Sequence, residues 1–205
     1  GLTSSMDFEM GCAGSYMADW YEARAGVTQA NYGCAVSHEF ARALVIDGSD
    51  GADYLSQGPI AAYTTRAKTG WSATRPTLEQ GNAILAEIDK GLQAGAPGIG
   101  STVGYMRAGV SSREMFEVQK VGARYGRATG AHTRYTLGTD TSEVNGAQEL
   151  ITNAMALDAP AIVLHFNNPG WRVTHEMIAG LQERGFNIWG EIYPYAAGST
   201  TINAE

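Results

Sequence analysis

Two histidines, His132 and His165, stand 33 residues apart (165 − 132), each closing a run of small or apolar residues: "ATGAHTR" at 128–134 and "AIVLHF" at 161–166. That spacing is about one strand–helix–strand unit, so in a parallel sheet both imidazoles would reach the same end of neighbouring strands. A carboxylate from another strand end, Asp7 or Glu9 in "SSMDFEM" (4–10) or Glu191 in "FNIWGEIY" (186–193), would complete a set of nitrogen and oxygen donors. Zn²⁺ takes such donors in near-tetrahedral geometry. Each residue also has a plainer reading: a strand-end histidine as a hydrogen-bonded loop anchor, and Glu9 as a paired carboxylate beneath the sheet.

Other polar residues are weaker candidates. Cys12, in "MGCAGS", is the competing metal donor to Glu9, with an ordinary loop thiol as the default. Cys34 lies in an apolar run and reads as a small core residue. His38 precedes the helical "EFARAL" and suits a supporting role, while His175 beside Glu176 suits the surface. No GxxxxGK[S/T] phosphate loop and no GxSxG nucleophile turn is present, and "GAPGIG" (95–100) runs into "STVGY" rather than a dinucleotide-binding helix.

The elements that must position these residues alternate. Strands are expected at 4–10, 30–37, 97–103, 128–134, 161–166 and 186–193. Between them, Thr77 with Gln80 forms a capping box ahead of "LEQGNAILAEIDKGL", and Ser111 with Glu114 forms a second ahead of Met115, Phe116, Val118 and Val121. A third helix runs through "AQELITNAMAL". A fourth starts near Thr174 and ends at Gly185, a suitable left-handed terminator. Residues 48–76 read as a loop excursion. Six parallel strands suit an open doubly wound sheet or part of an eight-stranded barrel, and functional groups arriving from several C-terminal strand ends favour the barrel.

Composition narrows the classes. The 205 residues carry 14 Lys+Arg against 21 Asp+Glu, a formal net charge of −7. An acidic chain without a basic cluster argues against nucleic acid and anionic membrane surfaces as partners. Two cysteines are too few for a disulfide framework and fit a reducing compartment, so a cytoplasmic location is the expectation. No apolar run approaches the ~18 residues of a membrane span.

Taken in order, "GLTSSMDFE", "NYGCAVSHEFAR", "GAPGIGSTVGY", "GAHTRY", "IVLHFNN" and "EIYPYAAGST" resemble the N-acyl-D-amino-acid deacylase (D-aminoacylase) family of the amidohydrolase superfamily, over nearly the whole chain. The resemblance implies a partial TIM (β/α)8 barrel, about six of eight strands, of the metal-dependent hydrolase type. It implies hydrolysis of a C–N amide bond in an N-acyl-D-amino acid or similar small molecule, with one or two Zn²⁺ activating water and polarising the carbonyl. His132 and His165 fall on the family's two middle-strand metal ligands, and Tyr193 and Ser199 on substrate contacts.

Three departures from the family pattern accompany it. The family's opening HxH pair would lie before Gly1 and its acid/base aspartate after Glu205, so residues 1–205 read as the central part of one barrel domain, truncated at both ends. Such a piece is expected to fold poorly alone and to lack a complete site. The family's metal-binding cysteine aligns with Met10, leaving Glu9 as the third ligand and Cys12 as the alternative. A lysine the family places two residues after the second histidine is Asn167, so the substrate carboxylate would turn to Arg134 or Arg172. Cyclic-amide hydrolysis and a non-catalytic binding protein on a barrel-like fold are the competing functions. The sequence leaves the oligomeric state open.

Overall fold

The computed structural model describes residues 1–49, 70–134, 146–166, 171–195 and 197. Among these, six strands form one all-parallel sheet whose spatial order is the sequence order: β1 (Ser4–Cys12), β2 (Asn31–Ser37), β3 (Gly98–Ser101), β4 (Ala128–Ala131), β5 (Ala161–Val163) and β6 (Ile188–Gly190). A doubly wound sheet would reverse its strand order at a switch point, whereas sequential order throughout is how a (β/α) barrel is wound. The architecture is therefore a six-strand arc of such a barrel. No helix among the described residues is long and apolar enough to cross a membrane.

The helices are α1 (Met17–Glu22), α2 (His38–Ile46), α3 (Leu78–Gln93), α4 (Ser112–Arg124), α5 (Gly146–Leu157) and α6 (Trp171–Glu183). The apolar face of α3 (Ile84, Ile88, Leu92) and that of α4 (Val118, Val121) pack with Val36 and Ile99 of the strands. Leu150, Ile151 and Ala154 of α5 join Ile178 and Leu181 of α6 against Ala161, Val163 and Ile188. The core thus lies between strands and helices, which leaves the concave side of the sheet to other uses.

The expected capping box of α3 is present: Thr77 Oγ1 accepts from the Gln80 N–H at 3.2 Å, and the Gln80 side chain accepts from the Thr77 N–H at 3.0 Å. The expected box of α4 is only half made. Ser111 Oγ accepts from the Glu114 N–H at 3.0 Å, but the Glu114 carboxylate turns inward to His38 and Arg42, two buried donors that outcompete one backbone N–H. Helix α6 starts at Trp171, earlier than expected, and its chain exits through Gly185 at φ +87. Strands β4 to β6 are shorter than expected, whereas β1 runs on to include Cys12. Most of the 48–76 excursion lies outside the described residues.

Strand β1 is the irregular one. Its parallel pairing with β2 holds from Ser4 to Asp7, slips, and resumes at Cys12 opposite Val36. Inside the slip the Asp7 carboxylate collects three backbone donors: Oδ1 accepts from Glu9 N–H at 2.9 Å and Met10 N–H at 3.1 Å, and Oδ2 from Gly11 N–H at 3.0 Å. Gly11 closes the bulge at φ +71, where a Cβ would lie 2.1 Å from Ala35 O. The bulge leans across the concave face over β3 and β4. A Cβ on Gly130 would come 2.7 Å from Phe8 O, and one on Gly100 2.8 Å from Glu9 O, so only glycine lets the backbones approach this closely.

Candidate metal centre

That lean explains how a residue of the first strand meets residues of the fourth and fifth. His132 follows β4 directly, its N–H donating to Ser101 O at 2.9 Å. His165 lies two residues beyond β5, on a turn. Glu9 stands between them: Oε1 is 3.3 Å from His132 Nδ1, and Oε2 is 3.3 Å from His165 Nε2. The two imidazoles meet edge-on with centroids 5.1 Å apart. Among the described residues, Glu9, His132 and His165 are the group of three whose donor atoms all lie within 4.8 Å of one another. Their side chains are 33%, 16% and 20% exposed, so a small ligand can reach them.

Packing fixes each ring. Tyr105 stacks on His132 at 4.5 Å with the planes 29° apart, and Gly104 donates its N–H to His132 O at 2.9 Å. Glu191, just past β6, accepts from the His165 N–H at 2.9 Å and has Oε2 3.2 Å from His165 Nδ1. Tyr193 presents an edge to His165 at 6.3 Å and to Tyr195 at 5.2 Å, forming an aromatic rim.

The electrostatics favour a cation. Burial would raise the Glu9 carboxyl, but its contacts with His132 and His165 outweigh burial and hold it well below the usual carboxylate range. His165 is pushed up to about 9, first by Glu191 and then by Glu9, while Glu191 is lowered chiefly by His165. Two carboxylates around one imidazole thus demand a positive charge. His132 Nδ1 and His165 Nδ1 are both buried and make no hydrogen bond of adequate geometry, although Glu9 stands beside the first and Glu191 beside the second. A buried nitrogen lone pair beside a carboxylate and a second imidazole is a donor set that Zn²⁺ fits.

The remaining candidates divide. Arg134 is near the site in sequence, but its guanidinium is engaged: Nε donates to Glu149 Oε2 at 2.7 Å and Nη1 to Arg107 O at 3.1 Å. Arg172 packs over Trp171. Asn167 and Ser199 lie outside the described residues. Cys12 is buried inside β1 in the layer between sheet and helices, beside Cys34 and apart from the three clustered donors, so the alternative to Glu9 does not reach them. His38 is buried, with Nδ1 3.0 Å from Ser101 Oγ and Nε2 3.1 Å from Glu114 Oε1, a supporting place as expected. His175 is exposed on α6.

Asp7 and Glu191 carry more of this site than the sequence reading gave them. The available signal was position: Glu191 sits at the next strand end after His165, and Asp7 two residues before Glu9.

No protein-family model and no curated protein matches the sequence. Solved structures do. A D-aminoacylase, described as defining a novel subset of amidohydrolases, superposes with a TM-score of 0.71 at 21% identity over 97% of this chain. The fold is that of the D-aminoacylase barrel. A D-aminoacylase structure concerned with a binuclear metal centre matches with a TM-score of 0.66 at 23% identity over 89% of this chain and 34% of its own. The N-acyl-D-glutamate deacylase from Bordetella bronchiseptica, complexed with zinc and a phosphonate inhibitor, gives 0.67 at 16% identity over 95% of this chain and 42% of its own. The chain spans 43% of the length of the first of these relatives.

Proposed function

We propose that this chain supplies the middle-strand part of a metal-dependent amidohydrolase site, and that the protein hydrolyses a C–N amide bond in an N-acyl-D-amino acid or a related small amide. The observation that carries the reading is the convergence of Glu9, His132 and His165 from three strands at the C-terminal side of a barrel arc, where barrel enzymes place their chemistry. The fold likeness to D-aminoacylases and to a zinc-containing deacylase supports it.

Glu9, His132 and His165 would hold the metal. A bound Zn²⁺ supplies Lewis acidity toward an amide carbonyl and a nucleophile at neutral pH. Glu9 offsets the cation's charge, with its two oxygens facing one histidine each. His132 presents Nδ1, its ring clamped by Tyr105, and His165 presents Nε2. Tyr193, on the rim beside His165, would contact the substrate, and Ser199 and Asn167 would join it. Arg134 would take a substrate carboxylate only if that anion displaced Glu149 from its guanidinium.

The test is elemental analysis of the intact protein purified without chelator, followed by assay against N-acyl-D-amino acids, N-acyl-L-amino acids and hydantoins. Zinc content with D-selective deacylation supports the reading. Ring-opening of hydantoins alone moves the protein to cyclic-amide hydrolysis. A zinc-free protein in which His132→Ala changes nothing sinks the enzyme reading and leaves a binding protein.

A further inference from the structure

The geometry points to Glu191 as the positioning residue for His165, holding its backbone and its imidazole at once so that Nε2 faces the metal; this rests on the metal reading above. His165 has φ +54, a left-handed conformation costly for a residue with a Cβ, so neighbouring groups must hold it there. Glu191 does so from both its main chain and its side chain. Its N–H donates to Val163 O at 2.9 Å, and its carbonyl accepts from the Phe166 N–H at 3.0 Å. Between those two bonds its carboxylate Oε2 accepts from the His165 N–H at 2.9 Å. One residue therefore brackets the whole turn from Val163 to Phe166.

The same oxygen stands 3.2 Å from His165 Nδ1, an ion-pair contact outside hydrogen-bond geometry, while Nε2 stands 3.3 Å from Glu9 Oε2. With the backbone held and this carboxylate behind the Nδ1 edge, the opposite nitrogen, Nε2, is turned toward Glu9, where a cation would sit. A carboxylate behind a ligating histidine fixes its tautomer and raises its basicity, and removing such partners typically weakens metal binding ten- to a hundredfold. The parallel register, Val163 opposite Gly190, is what sets Glu191 beside this turn.

The experiment measures Zn²⁺ affinity by competition with a chromophoric chelator, and the visible spectrum of the Co²⁺-substituted intact protein, for wild type, Glu191→Gln, Glu191→Ala and Glu9→Gln. Glu191→Ala is expected to bind Zn²⁺ about ten- to a hundredfold more weakly with altered Co²⁺ bands. Glu191→Gln should fall between it and wild type, because an amide oxygen still accepts from the His165 N–H. If Glu191→Ala does not fold, Glu191→Gln carries the comparison. Wild-type affinity and spectrum in the Glu191 variants, with binding weakened in Glu9→Gln, would overturn the positioning role and leave the metal reading intact. A wild-type protein that binds no Zn²⁺ overturns both.

Discussion

Gly104 offers the cleanest way to move one proposed ligand without touching its chemistry. A methyl at this position would stand 2.6 Å from His132 Cδ2 and 2.7 Å from Thr133 O, against about 3.4 Å where ordinary contact begins. The Thr133 oxygen is backbone and holds the new methyl against the ring, and clearing the Cδ2 contact moves that edge of the imidazole by roughly the missing 0.8 Å. Tyr105 stacks on the ring, which limits where it can go. Metal–ligand distances tolerate only about 0.2 Å. Gly104→Ala should therefore weaken Zn²⁺ binding by about ten- to a hundredfold, the range seen when the partners that orient a ligand are lost. Overpacking should also cost about 1–3 kcal/mol of stability. Chelator competition on the intact protein reads the first effect and thermal melting of the metal-free protein the second. Zinc affinity within about twofold of wild type would refute the claim that His132 Nδ1 must hold its present place.

Gly81, inside α3, is the matched control: an added Cβ meets nothing within 4 Å. Gly81→Ala should raise stability by about 0.5–1 kcal/mol in a thermal melt and leave zinc affinity unchanged. Gly130→Val should drive β1 off β4 through Phe8, displacing Glu9, and lower zinc affinity without altering any donor; equal affinity would detach Glu9 from the bulge. Glu114 is nearly buried between His38 and Arg42, and these contacts outweigh burial to hold its pKa below the usual carboxylate value. A depressed folded pKa contributes stability that is full above the unfolded value, about 4.3, and is lost as pH falls through the folded one. Glu114→Gln should cost about 3 kcal/mol at neutral pH by leaving the buried Arg42 charge without its carboxylate, although the Trp71 and Thr74 carbonyls still accept from it. The variant's stability should fall less steeply below about pH 4 in urea titrations.

Local signals carried much of the fold. Thr77 and Gln80 announced α3 because both halves of a capping box lie within four residues. Alternating apolar runs and amphipathic stretches placed the six strands to within a few residues. Strand–helix alternation alone suits an open or a closed sheet, but functional groups at several strand ends and the family resemblance favoured the barrel, and the sequential strand order agrees. Helix α1 went unread because it has only six residues and no side-chain cap at Tyr16. Glu114 misled for a non-local reason: its true partners, His38 and Arg42, come from α2, more than 70 residues away.

The site was half legible. His132 and His165 follow from strand ends in matching positions, which a parallel sheet must bring together. Glu9 was named, yet nothing local says that it crosses two intervening strands. That requires the Asp7-stapled bulge, Gly11 in the left-handed region, and glycines at 100 and 130 beneath it, each meaningful only once the sheet is assembled. Arg134 reads as an anion site in sequence because its counterion, Glu149, lies on the following helix.

In the proposed site, Glu9, His132 and His165 share one metal ion. Elemental analysis of the intact protein, beside Glu9→Ala, His132→Ala and His165→Ala variants that retain a cooperative melt, tests it directly. Stoichiometric zinc is expected in the wild type, with a large loss in every one of the three variants. Zinc retained at the wild-type level in all three, or absent from the wild type, would contradict it.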